Sequence, residues 1–127
     1  FKANLRDIKN YSKCNLEDPH LIIQIGNEIL DKGAKNVLIS LGANGAVFVS
    51  RHTEAIHIKA PDSDVIDRIG AGDSMIAGFI ADYLENLDIK SAAINAVAAG
   101  TATAATLGLG SQVQVKNLKE LIATKQL

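Results

Sequence analysis

The sequence has 127 residues, enough for one domain built on one hydrophobic core. Its 13 basic and 14 acidic side chains leave a formal net charge of -1, which argues against nucleic acid or an anionic membrane surface as a partner. Apolar residues make up 47% of the chain but aromatic residues only 4%, with no Trp, so the core is expected to be aliphatic and Ala-rich.

Taken in order, Phe1-Lys2-Ala3-Asn4 reads as the end of a buried strand entering a turn. No Met and no signal-like segment stand before it, so the chain is expected to be the C-terminal part of a longer protein. Leu5, Ile8 and Tyr11 suit a short helix, with Asn4 as its N-cap and Asp7 at its third position. Ser12 to Asp18 is polar and reads as a loop. It carries the one cysteine, Cys14, which excludes an internal disulfide, fits a reducing cytoplasm and has no neighbouring His to make it a nucleophile. Asp18 and Pro19 then form a cap and a first helical position. Leu21, Ile22, Ile25, Ile29 and Leu30 recur at helical spacing, and Lys32-Gly33 ends the helix.

Residues 36–41, Asn-Val-Leu-Ile-Ser-Leu, form an apolar run suited to a strand buried on both faces. Gly42-Ala43-Asn44-Gly45 is a tight turn. Residues 46–49 and 55–58 follow as two strands that are expected to pair antiparallel, because so few residues connect them. Residues 61–64 read as a loop, and Val65-Ile66 leads into Asp67 and a second glycine turn. From Asp73 a helix is expected, with Ile76, Phe79, Ile80, Tyr83, Leu84 and Leu87 on its buried face and Asp82, Glu85 and Asn86 facing away. Residues 91–105 form a second helix of small residues, too short and too polar to cross a bilayer. Gly108-Leu109-Gly110 ends it, and Leu118, Leu121 and Ile122 suggest a last amphipathic helix. His20, His52 and His57 lack metal-ligand spacing and read as surface or strand residues.

The chemistry concentrates in Gly70-Ala71-Gly72-Asp73. Glycines let backbone amides turn inward without Cβ clashes, and the helix start adds free N–H groups and the positive end of its dipole. Together these make a site for a phosphate or another oxyanion. Asp73 stands where a base could take a proton from an attacking hydroxyl. An anion cradle beside a base suits phosphoryl transfer to an alcohol. The same four residues would also make a plain loop with an N-cap Asp.

Residues 65–79, from Val65 through Asp67, Gly70, Gly72 and Asp73 to Phe79, resemble the second signature of the ribokinase-like (PfkB) sugar kinases. Three further stretches match in family order. Ser40-Leu41-Gly42-Ala43-Asn44-Gly45 looks like the family's nucleotide turn, and residues 2–7 like its Lys-Pro-Asn-x-x-Glu turn, with Ala3 for Pro and Asp7 for Glu. Residues 98–103, ending in Gly108-Leu109-Gly110, look like its adenine-side helix and loop. The resemblance implies Asp73 as general base and the amides of Gly70, Ala71 and Gly72 as the anion hole for the γ-phosphoryl group. It implies nucleotide contacts from residues 40–45, from Gly72 and Asp73, and from Lys2 and Asn4. It also implies an adenine pocket at Asn95, Val97, Gly100 and Thr101, where small-residue helix packing is the competing reading. Asp7 would organise water around Mg²⁺ of the bound ATP. Asp67, the Ile69 carbonyl and the Thr103 to Gly110 loop lie where some members hold a monovalent cation such as K⁺, although Arg68 and Ile69 depart from the commoner hydroxyl-rich pair.

The implied fold is α/β, the C-terminal portion of a ribokinase-like fold, with a mostly parallel sheet, flanking helices and an antiparallel edge. The implied activity is ATP-dependent phosphorylation of a sugar phosphate in the cytoplasm. Residues 73–78 look most like the branch that contains 1-phosphofructokinase and tagatose-6-phosphate kinase, with fructose 1-phosphate the favoured substrate. The sugar-binding and lid part of the family is missing from these residues, so the piece alone is expected to be inactive. A non-catalytic nucleotide-binding module is the alternative from another class. Whether the parent is a homodimer stays open.

Overall fold

The computed structural model describes residues 1–12 and 18–127, so Cys14 and most of the loop expected around it lie outside the described residues. The chain divides into two compact units, Phe1–His57 with Thr124–Leu127, and Ile58–Ala123.

The first unit is built on a sheet of five strands, β1 (Lys2–Asn4), β2 (Asn36–Ser40), β3 (Ala46–Ser50), β4 (Ile56–Ile58) and β5 (Thr124–Gln126), ordered β1-β2-β3-β4-β5. β1 runs parallel to β2, with Lys2 opposite Leu38 and Asn4 opposite Ser40. β3 returns antiparallel, with Val37 opposite Val49 and Ile39 opposite Val47. Two helices flank the sheet, α1 (Leu5–Ser12) and α2 (Pro19–Asp31). The caps are those expected from the sequence. The Asp7 amide donates to Asn4 Oδ1 at 2.9 Å, the Asn4 amide donates to Asp7 Oδ2 at 3.0 Å, and the His20 amide donates to Asp18 Oδ1 at 2.9 Å. Each satisfies a donor that the start of a helix leaves unpaired.

The periodic residues of α2 do what their spacing predicts: Ile22, Ile25 and Leu30 are buried with Ala3, Ile8, Val37, Ile39, Val47 and Val49. Leu38 and Phe48, on the other face of β2 and β3, are buried as well, which is why β2 shows no alternation. β5 has no counterpart in the sequence reading. Thr124-Lys125-Gln126 is polar and exposed, and carries no alternating pattern.

In the second unit, residues 59–70 lead into α3 (Ala71–Asn86), α4 (Ile89–Ala104) and α5 (Gln112–Glu120). α4 and α5 open on strong caps. Asp88 accepts from the amides of Lys90 and Ser91, and Ser111 and Gln114 form a capping box. Leu118 lies within α5, but the helix ends at Glu120, and Leu121 is its exposed C-cap.

The buried face of α3 differs from the expected one. Met75, Gly78 and Asp82 are buried, whereas Ile76, Ile80, Tyr83, Leu84 and Leu87 are exposed on this chain. The reason is the neighbour. α4 presents Ala92, Ala96, Ala99 and Gly100, so the helices pack backbone to backbone where both carry small residues. A Cβ on Gly78 would stand 2.6 Å from Ala99 Cβ and 3.1 Å from the Asn95 carbonyl oxygen. Asp82, expected to face solvent, is buried because Lys119 of α5 donates to its Oδ2, and Lys119 also donates to Ser91 Oγ at 2.9 Å. One cation thereby holds α3, α4 and α5 together.

This packing separates two glycines. Gly78→Ala presses a methyl against backbone-bound atoms that cannot rotate away, and is expected to lower unfolding free energy by about 2 kcal/mol. At Gly100 the nearest atom to an added Cβ is Met75 Cγ, at 2.7 Å on a flexible side chain. Gly100→Ala should stay within about 1 kcal/mol of the parent, the strain being offset by alanine's helix propensity. Chemical denaturation of the two variants side by side checks the ranking.

Candidate active site

Two groups of the residues singled out in the sequence come together, one in each unit. The first lies at the carboxyl ends of the parallel strands β1 and β2, where α/β sheets bind ligands. The strand register sets Asn4 beside Ser40, and Ser40 Oγ donates to the Ala3 carbonyl at 3.3 Å. The chain then turns through a single 3-10 turn, Gly42–Asn44, with Leu41 before it and Gly45 after it. Gly42 and Gly45 have φ of 63° and 87°, a region that favours glycine. The turn closes through the Leu41 amide donating to the Gly45 carbonyl at 2.7 Å. Ala43 and Asn44 are exposed at its tip, and Lys2 is half-buried in β1.

One residue of this group was not legible in the sequence as part of the turn. His57 Nε2 lies 2.7 Å from the Asn44 carbonyl oxygen, so it must carry the proton and donate to the tip. No motif marks it, because the contact arises only when the strand after the hairpin returns beside the turn.

Asp7 is exposed, and its Oδ2 is committed to the Asn4 amide. Its second oxygen is left for water or a hydrated cation. No group of three or more His, Cys, Asp or Glu among the described residues could hold a metal ion by itself. A single free carboxylate oxygen would suit a Mg²⁺ ion that keeps its waters, and does not make a cage of protein ligands.

The second group surrounds the start of α3. The helix begins at Ala71, two residues before the expected Asp73, and its N-cap is Gly70 with φ 82°. Asp73 is therefore not a capping residue. It sits in the first turn, exposed, and its carboxylate has no intrachain partner among the described residues. Ala71 N–H donates to the Arg68 carbonyl at 3.2 Å and Ser74 N–H to the Gly70 carbonyl at 2.9 Å. Among the described residues the amides of Gly70, Gly72 and Asp73 have no intrachain acceptor.

Around this turn the chain is pinned by hydrogen bonds. Asp67 Oδ1 accepts from the Ile69 amide at 2.9 Å, and the Ala104 carbonyl accepts from the amides of Ile66 and Asp67 at 2.7 and 3.0 Å. Thr103 Oγ1 donates to Ser74 Oγ at 2.8 Å and accepts from the Gly110 amide at 3.1 Å.

The four residues read as an adenine pocket make contacts of their own. Asn95 Nδ2 donates to the Gly78 carbonyl at 2.8 Å, across the α3–α4 contact. Val97 is buried and Gly100 faces Met75. Thr101 Oγ1 donates back to the Val97 carbonyl at 2.9 Å within α4. These are helix-packing contacts, and Asn95 and Thr101 stay half-buried at the helix surface.

A glycine-opened helix with free amides and an unpartnered carboxylate in its first turn is the arrangement that an oxyanion site beside a base requires. Residues 1–116 match the family described as pfkB family carbohydrate kinase. The chain belongs to the pfkB family of carbohydrate kinases. Relatives of this pfkB chain include a 1-phosphofructokinase of Borreliella burgdorferi, 29% identical over 96% of the chain and 39% of the relative. A D-tagatose-1-phosphate kinase of Bacillus licheniformis is 36% identical over 76% of the chain and 34% of the relative. Among solved structures, phosphofructokinase-2 of Escherichia coli in complex with potassium superposes with a TM-score of 0.84 at 28% identity, over 94% of this chain and 40% of that one. The pfkB chain thus spans two fifths or less of the length of these proteins. Its fold is the corresponding α/β portion of a ribokinase-like fold. No helix among the described residues is long and apolar enough to cross a membrane.

Proposed function

We propose that the protein containing this chain transfers the γ-phosphoryl group of ATP to a hydroxyl of a sugar phosphate, with fructose 1-phosphate as the first candidate and 1,6-bisphosphate as the product. The observation that carries this reading is Asp73: an exposed, unpartnered carboxylate in the first turn of α3, beside the free amides of Gly72 and Asp73. Asp73 takes the proton of the sugar hydroxyl as its oxygen attacks the γ-phosphorus. The bond from that phosphorus to the bridging oxygen breaks, and ADP leaves. Charge building on the transferring group is met by the free amides and the α3 dipole, fixed before reaction.

The turn at residues 41–45, with Ser40, Lys2 and Asn4 at the strand ends, serves the nucleotide phosphates, and His57 steadies it through Asn44. Mg²⁺ bound with ATP would supply charge neutralisation, and Asp7 would order its water shell. Asp67 and the Ile69 carbonyl are the groups offered to a monovalent cation. The Escherichia coli relative solved with potassium supports testing K⁺. Such chemistry on ATP and phosphorylated sugars belongs in the cytoplasm.

The family resemblance implies that the sugar-binding and lid residues lie in the part of the relatives' length that this chain does not span, so the 127-residue chain alone should show no sugar-dependent ATP turnover. A coupled assay of the intact protein across fructose 1-phosphate, tagatose 1-phosphate, tagatose 6-phosphate, fructose 6-phosphate and ribose, with and without K⁺, tests the proposal. Turnover confined to one of the phosphosugars supports it. ATP binding without turnover on any of them would leave a nucleotide-binding module instead.

A further inference from the structure

Three threonines of the α4 region make different uses of their hydroxyls. Thr101 donates to the carbonyl four residues back, Val97 at 2.9 Å, and Thr106 does the same to Ala102 at 2.8 Å. This is the ordinary habit of a helical threonine. Thr103 does not follow it. Its side chain is 2% exposed, yet its hydroxyl leaves its own helix and joins two segments distant in sequence. It donates to Ser74 Oγ, next to Asp73, and accepts the amide of Gly110.

The surroundings of Thr103 are equally close. A Cβ on Gly110 would lie 2.6 Å from Ala102 Cβ and 3.0 Å from the Thr103 backbone nitrogen, so the loop backbone is seated on α4 at this residue. A Cβ on Gly70 would lie 3.8 Å from Thr103 Cγ2 and 3.6 Å from Leu109 Cδ2. The methyl of Thr103 thus faces the Gly70 turn while its hydroxyl bonds the first turn of α3 and the Leu109–Gly110 loop.

We infer that Thr103 is a positioning residue for phosphoryl transfer, setting the base-bearing start of α3 and the Gly108–Gly110 loop in one fixed geometry. The inference rests on the kinase reading above, with that loop on the nucleotide side. A catalytic carboxylate misplaced by a fraction of an ångström loses rate without loss of fold. Thr103 touches no reacting atom, and its effect passes through Ser74 to Asp73 and through Gly110 to the loop.

The test is kinetic, on the intact protein, with Thr103→Val, Thr103→Ser and Ser74→Ala. Valine keeps the shape and removes both hydrogen bonds. It is expected to lower kcat at least tenfold and raise KM for ATP severalfold. Serine keeps the hydroxyl and should restore both to within threefold of the parent. Ser74→Ala cuts only the arm to α3, and should lower kcat with KM for ATP unchanged. Hydrogen exchange at the Gly110 amide, measured on the same proteins, should quicken tenfold or more in Thr103→Val and stay unchanged in Ser74→Ala. A Thr103→Val enzyme with parental kcat and KM, or a folded Thr103→Ser enzyme as impaired as the valine variant, overturns the inference. A parent protein without turnover on any sugar phosphate overturns the kinase reading instead, whatever the exchange data give.

Discussion

Asp73→Asn is expected to cut turnover of the intact protein about 10³-fold, the middle of the range for removal of a general base. ATP affinity and melting temperature should stay close to the parent. The geometry makes this separation sharp. An N-cap Asp accepts a backbone amide, and its loss costs about 1 kcal/mol. Asp73 accepts none, because Gly70 is the N-cap and the carboxylate is exposed. Its remaining structural role is a favourable position in the α3 dipole, a few tenths of a kcal/mol. Asn fills the same volume but cannot take a proton. Single-turnover kinetics with calorimetric ATP titration read the two quantities apart. Parental turnover in Asp73→Asn would remove Asp73 as the base; a large drop in melting temperature would return it to a structural role.

The largest effect on stability is expected from Lys119→Met, about 2–3 kcal/mol at pH 7, measured by chemical denaturation. Asp82 is buried, its Oδ2 is bonded to Lys119, and its Oδ1 has no hydrogen-bond partner. Burial alone would raise its pKa; Lys119, with weaker help from Ser91 and Asn86, outweighs that and holds it below the usual carboxylate range. A carboxylate with a depressed folded pKa contributes stability above its unfolded value of about 4 and loses it as pH falls through the folded value. Removing Lys119 leaves burial opposed only by the weaker Ser91 and Asn86 hydrogen bonds, so the variant's Asp82 pKa should rise and the variant should lose stability as pH rises. The gap between parent and variant is therefore widest at neutral pH and narrows toward pH 4. Asp82→Asn placed on Lys119→Met should recover part of the loss by removing the buried charge. A gap independent of pH would mean that Lys119 acts through the packing of its alkyl stem.

Local chemistry was legible where one segment contains the whole answer. Asn4 and Asp7, and Asp18 and Pro19, each cap a helix within a few residues of themselves, and the apolar run of β2 reports burial on both faces. The glycine turns at residues 42–45 and 70–72 also announce themselves. Even so, the helix starts at Ala71, because Gly70 in a left-handed conformation caps it earlier than a carboxylate at Asp73 would, and the Ala71 amide is committed to the Arg68 carbonyl.

α3 failed in the opposite way. Its apolar residues trace a clear stripe, but periodicity says only that two faces differ. Which face another helix covers depends on that helix, and α4 offers small residues that admit Gly78 and Met75 more closely than Ile80 or Leu84. Asp82 is buried because Lys119, 37 positions away, reaches it.

The sequence by itself thus determined the main helices and inner strands, the caps at Asn4 and Asp18, the two glycine turns and the family, since each depends on residues adjacent in the chain. Only the tertiary structure decided which face of α3 is buried, that Asp82 pairs with Lys119, and that His57 and Thr103 brace the turns. Those outcomes depend on contacts across many residues, where complementary shape and pairing, absent from any local pattern, select the partner.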